Sequence, residues 1–214
     1  MYRALFVVDQ ENGRGHQIRS QCLWDELATR EDWQFSESGV YQQDPSDFDL
    51  VIVDDYRVTR KQLEAFSSPW PGLLVVVDDY QPARVPSWAL LVNGTFLPPG
   101  CHSGRYSHNA CLGPNYAIIR REFREIGWHG GSGQVDLRNV YGLSATELAR
   151  LMAAADSVTV AGGMRCQEAA CVGVPEINVV VESDNQVGNR KAWPIDGLGV
   201  YRVADEIMRR LSKL

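Results

Sequence analysis

Long hydrophobic runs are missing from this 214-residue chain. No apolar stretch approaches the ~20 residues that a membrane-spanning helix requires, so no membrane partner is expected. The start, MYRALFVVDQ, offers a single arginine and about six apolar positions before an aspartate, too little for the h-region of a secretory signal. An excess of positive charge is missing as well. Lys and Arg total 21 against 27 Asp and Glu, a formal charge of −6, and the pI is about 5.2. A chain of that sign is not drawn over long range to nucleic acid or to an anionic membrane surface. Cysteine is sparse: Cys22, Cys101, Cys111, Cys166 and Cys171 are odd in number and form no C-x-x-C pair, which excludes that zinc or redox pattern. These absences together point to a reducing cytoplasm.

What is present is enough apolar material, 44% of residues, to bury a real core as one domain or as two lobes around a crevice. The apolar runs are short and rich in Val, Ile and Leu: ALFVV at 4–8, LVIV at 50–53, LLVVV at 73–77, ALLV at 89–92, SVTVA at 157–161 and INVVV at 177–181. Continuous runs of this kind read as strands buried on both faces of a parallel sheet. Helical patterns fall between them. Ile18, Cys22, Leu23 and Leu27 share a stripe, Ser144 and Glu147 make a capping box before LARLMAAA, and Ile207, Met208 and Leu211 share a face of the last helix. Alternating strands and helices predict an α/β, doubly wound fold. The Gly/Ser/Pro-rich segments 94–109 and 127–139 read as loops, the second as the interlobe linker.

In such sheets ligands bind beyond the carboxyl ends of the strands, and here those ends are polar. Asp9 follows the first strand, Asp54-Asp55-Tyr56 the second, Asp78-Asp79-Tyr80 the third and Asn93 the fourth. A carboxylate rim of this kind suits recognition of polar ligands and has also the chemistry of a Mg²⁺ or Ca²⁺ site. The segment ENGRGHQIRS (11–20) follows the first strand. Gly13 and Gly15 permit a tight turn close to a ligand, and His16 stands at the start of the next helix, whose partial positive charge disfavours imidazolium. A neutral imidazole there can take a proton from water. The same helix end can receive an anion, with Arg19 one turn along. The segment lacks the third glycine of a dinucleotide fingerprint and the G-K-[ST] of a P-loop.

With G-x-G-H-x-x-R after the first strand, the chain resembles the UDP-sugar hydrolases of the pseudaminic acid pathway, a group with a GT-B glycosyltransferase-like fold. VDDY (53–56), VVVDDYQPARVPSWALLVNGTF (75–96), CLGPNYAIIRREF (111–123), GGSG (130–133), and AADSVTVAGGMRCQEAACVGVP (154–175) followed by DNQ (184–186) are similar to the family's segments in the same order. The resemblance implies a GT-B-like fold of two Rossmann-like lobes with parallel sheets. It implies hydrolysis of a UDP-linked diacetamido sugar, a small-molecule nucleotide sugar, with water attacking the anomeric carbon, UDP leaving, and neither cofactor nor metal. On that reading His16 is the base, supported by Asp9 and Asp55. Gly13, Gly15, Arg19, Tyr56, Asp79, Asn93 and Tyr116 face the substrate. Gly162 and Gly163 approach the diphosphate with Arg165 beside them, Glu168 accepts the ribose hydroxyls, and Asn185 and Gln186 line the sugar side. A compact glycosyltransferase and a non-catalytic nucleotide-sugar-binding or assembly protein are the alternative uses of the same cleft.

The implied division is a first lobe over 1–125 and a second over 126–214. The second is short: between GGSG and the strand at 157 there is room for one helix and a short extended piece, where the family builds a wall. Arg165 stands where the family has a small hydroxyl residue. A reduced parallel sheet needs covering, so a homodimer through the second lobe, or through 127–139 with Trp128, is expected.

Overall fold

The computed structural model describes residues 1–11, 14–38, 44–66, 70–95 and 109–214. Among them the chain runs β1 (Tyr2–Val8), α1 (Arg14–Ala28), β2 (Trp33–Ser38), β3 (Leu50–Asp54), α2 (Arg60–Glu64), β4 (Leu73–Val77), β5 (Leu90–Asn93), β6 (Ala110–Leu112) and α3 (Arg121–Glu125). It continues with β7 (Gln134–Asp136), α4 (Ala145–Ala153), β8 (Ser157–Ala161), α5 (Met164–Val172), β9 (Glu176–Val180) and α6 (Gly199–Leu211). The strands form a six-stranded sheet of order β2-β1-β3-β4-β5-β6 and a three-stranded sheet β7-β8-β9, and every pairing is parallel. This is a two-lobe, Rossmann-like α/β fold. No helix among the described residues is long and apolar enough to cross a membrane.

Side chains of a strand alternate between faces, and the first sheet uses both. Ala4, Phe6, Val8, Leu50, Ile52, Val75 and Val77 pack against Leu23 and Leu27 of α1 and against Val203 and Ile207 of α6. Leu5, Val7, Val51, Val53, Leu74 and Val76 pack on the other side against Leu63 of α2 and Phe66. The second sheet is different. Val135, Val158, Val160, Ile177 and Val179 face one core with α3, α4 and α5, while Gln134, Asp136, Glu176 and Asn178 on the opposite face are exposed. Expected burial on both faces therefore holds for the large sheet, and the small one has a polar face that water can cover.

The chain passes between lobes at 116–120, whose residues alternate between the two cores. Tyr116 and Ile118 join the first, Ala117 and Ile119 the second. Segment 127–139, read from its composition as the linker, belongs to the second lobe: Trp128 N donates to Val172 O at 2.7 Å and His129 N to Ala153 O at 3.2 Å. The last helix returns to the first lobe. The two crossings touch backbone to backbone, since a Cβ on Gly199 would stand 2.1 Å from Ala117 O and one on Gly94 2.5 Å from Ala117 Cα. Both positions require glycine.

Candidate functional site

The sheet order reverses direction about β1, with β2 on one side and β3 on the other, so the crevice beyond the carboxyl ends of β1 and β3 is the topological switch point. The described residues enclose there a cleft of about 770 Å³, lined from the first lobe by the start of α1, Tyr56, Asp79 and Arg120. The second lobe contributes the 140–143 loop, the Gly162–Gly163 turn and the cleft-facing side of α5. The two helix starts approach one another: a Cβ on Gly15 would lie 3.9 Å from Met164 Sδ.

His16, in the first turn of α1 and nearly buried, places Nδ1 2.6 Å from Asp54 Oδ1. Arg19, one turn on, grips the same carboxylate twice, Nε to Oδ2 at 2.8 Å and Nη2 to Oδ1 at 2.6 Å. Its Nη1 donates to Asp79 Oδ2. Burial works against ionising Asp54, but the Arg19 charge and the hydrogen bonds from His16 and Arg19 outweigh it and hold the carboxyl below its ordinary value. An ionised Asp54 can only accept, so His16 carries its proton on Nδ1 and leaves Nε2 as the basic nitrogen. Nε2 has no protein partner among the described residues. Tyr56 closes over the imidazole edge to face, 4.7 Å between centroids, and Asp79 Oδ1 is buried without a donor.

The other carboxylates of the rim serve different partners. Asp55 is forked by Arg57, Nε to Oδ1 at 3.0 Å and Nη2 to Oδ2 at 2.8 Å, and Asp9 lies 3.7 Å from Arg57 Nη2 and accepts from Glu11 N at 2.9 Å. Asp78 pairs with Arg84 at 2.5 Å. Neither Asp9 nor Asp55 lines the cleft. The carboxylate that supports His16 is Asp54, not the expected Asp9 or Asp55. Asn93 fixes its own loop, donating to Asp78 O at 2.8 Å and accepting from Thr95 N at 2.8 Å. Tyr116 packs at the interlobe crossing. These two residues are also outside the cleft lining. Gly13 and the side chain of Asn185 lie outside the described residues. Arginines neutralise the rim, and among the described residues no three of His, Cys, Asp and Glu are grouped to hold a metal ion.

On the second-lobe side, Gly162, Gly163, Arg165, Glu168 and Gln186 all line the cleft. Gly163 caps the start of α5. Gly162 is held close to Gln186, whose Cβ and O would each be 3.0 Å from an added Cβ. Asn189 Nδ2 donates to Gly162 O at 2.9 Å and secures the turn. Glu168 is fully buried and gripped by Arg120, Nε to Oε1 at 2.6 Å and Nη2 to Oε2 at 3.0 Å. Burial pushes its carboxyl above the ordinary value although Arg120 pulls it down. Arg120 and Glu168 both line the cleft, with each carboxylate oxygen held by the guanidinium. Burial also pushes the thiols of Cys22 and Cys111 up to about 12 and those of Cys166 and Cys171 up to about 11, so no described cysteine is a nucleophile at neutral pH.

Asp54 as the partner of His16, and Arg120, Gln167 and the 140–143 loop as lining residues, were not singled out by the sequence. Strand parity could have found Asp54, because it continues the Leu50, Ile52 face that α1 covers. Comparison of the chain with protein-family models and with curated proteins finds no match.

Proposed function

We propose that the cleft hydrolyses a nucleotide sugar, releasing UDP from a UDP-linked diacetamido sugar by attack of water on the anomeric carbon. The observation that carries this reading is the His16–Asp54 pair at 2.6 Å, with its basic nitrogen left for the cleft and a glycine turn opposite. Asp54 fixes the tautomer and stabilises the imidazolium that forms, as an orienting carboxylate does in other histidine bases. His16 Nε2 removes a proton from water as the oxygen bonds to the anomeric carbon. The bond from that carbon to the diphosphate oxygen breaks with its electron pair, and UDP leaves.

The leaving anion is met by the N–H groups at the start of α5, while Arg165 adds positive charge at the same wall. Arg19 is already engaged by two carboxylates, so its task is to hold Asp54 and Asp79. Asp79 Oδ1, buried without a donor, suits an amide N–H or hydroxyl of the sugar. The test is UDP release from UDP-linked diacetamido sugars without added acceptor, comparing wild type with His16→Ala. Release that falls about 10²- to 10⁴-fold in the variant is the expected result. Release only on addition of a sugar acceptor makes the protein a transferase, and binding without release makes it a non-catalytic binder.

A further inference from the structure

The wall of the cleft formed by residues 140–143 has little support of its own. Leu137 is anchored to β8, its N donating to Thr159 O at 2.8 Å, and Val140 packs on the second-lobe core, but among the described residues the one backbone-to-backbone hydrogen bond of the turn that follows is Val140 N to Leu137 O at 3.5 Å. Beyond it Tyr141 is 79% exposed. The firm contact comes from across the lobe. Arg165, in the first turn of α5, donates Nη1 to Leu137 O and Nη2 to Val140 O, the latter at 2.6 Å. A planar guanidinium can serve two carbonyls at a fixed separation, whereas an ammonium is a single point of charge.

Both acceptors are uncharged. Arg19 and Arg120, on the same cleft, are paired with carboxylates, but among the described residues no carboxylate pairs with Arg165. Its guanidinium thus lines the cleft with the Gly162–Gly163 turn without being held in an ion pair. We propose that Arg165 is a positioning residue that fixes the 137–143 loop as the wall against which the planar part of the ligand packs, while its charge separately favours the ligand's anionic part. The assignment rests on the cleft being a nucleotide-sugar site. It gives one side chain two separable effects: the fork holds the wall, and the charge attracts phosphate.

Two variants and two probes separate them. Arg165→Lys keeps the charge and loses the fork, and Arg165→Met loses both; UDP reports wall and charge together, and inorganic pyrophosphate reports charge alone. UDP should bind about tenfold more weakly to Arg165→Lys, the scale of a lost hydrogen bond or two, with pyrophosphate affinity unchanged, and both probes should weaken with Arg165→Met. Amide hydrogen exchange without ligand should accelerate at 137–143 in both variants and stay as in wild type over α4 and β8. Wild-type exchange at 137–143 overturns the tether, as does acceleration spread through the whole lobe, and unchanged UDP affinity in Arg165→Lys overturns the wall. Wild-type protein that binds neither probe contradicts the nucleotide reading of the cleft, and local exchange then decides the tether by itself.

Discussion

Asp54 and Asp55 are neighbours with separate duties, and the separation follows from the strand's period of two. Leu50, Ile52 and Asp54 face α1, so Asp54 meets His16 and Arg19, whereas Val51, Val53 and Asp55 face the other way, toward Arg57. In β4 the parity is shifted: Val75, Val77 and Asp79 share the α1 side and Asp78 turns to Arg84. Two DDY endings thus deliver the first aspartate of one and the second of the other to the site. The sequence displayed the carboxylate rim and the histidine, but which aspartate served which partner depended on the face that α1 covers. Asp54→Asn should lower UDP release by about 10²- to 10⁴-fold, while Asp55→Asn keeps the wild-type rate per folded molecule. Stability carries a second signature. Because Asp54 is depressed in the fold, its contribution is full above the ordinary carboxylate value of about 3.9 and is lost as pH falls through its own lower value. The gap in unfolding free energy between wild type and Asp54→Asn, about 3 kcal/mol at neutral pH, should narrow by roughly 1.4 kcal/mol for each pH unit between the ordinary value of about 3.9 and the lower folded value. Denaturant titrations at neutral pH and near pH 3 measure it, and a constant gap contradicts the ion-pair account.

At the scale of elements, the helices and central strands were legible because each carries a strong local signal. Ser144 and Glu147 form the reciprocal capping box before α4, and the buried runs coincide with β3 and β4 within a residue and with β1 within two. The strands that escaped notice are β2, β6 and β7, all at sheet edges. An edge strand has one neighbour and fewer apolar demands, so WQFSES carries no continuous apolar run and QVD falls inside the segment 127–139 that reads as loop. The interlobe crossing was hidden for another reason. Composition marked the glycine-rich 127–139 as the linker, yet the chain crosses in the apolar segment 116–120, which is extended and packs into both cores. Loops that are buried look like strands. The crossing depends on glycines whose partners are distant in sequence: an added Cβ at Gly199 would meet Ala117 O at 2.1 Å. Gly199→Ala should therefore cost about 2–3 kcal/mol, read by denaturant unfolding. An alanine variant as stable as wild type would show that the two crossings are not in contact.

Across the whole molecule, the two lobes share more than a hinge. The last helix, α6, buries Val203 and Ile207 in the first-lobe core, and α3, which ends at Glu125, buries Phe123 in the second. A division of the chain at 125 cuts between neither core cleanly. The exchange fixes the first-lobe histidine turn opposite the second-lobe glycine turn across one cleft. The protein is acidic overall, at −6, yet Arg14 and Arg165 line the cleft beside the carboxylate-paired Arg19 and Arg120, which on the proposed function gives an anionic ligand its local attraction. In the proposed reaction, water activated by His16 attacks the sugar and not the phosphorus. Its most direct test is hydrolysis of a UDP-linked diacetamido sugar in ¹⁸O-enriched water, with mass spectrometry of both products. One ¹⁸O is expected on the anomeric hydroxyl of the released sugar and none on UDP. Label on the UDP phosphate, or no release at all, would contradict it.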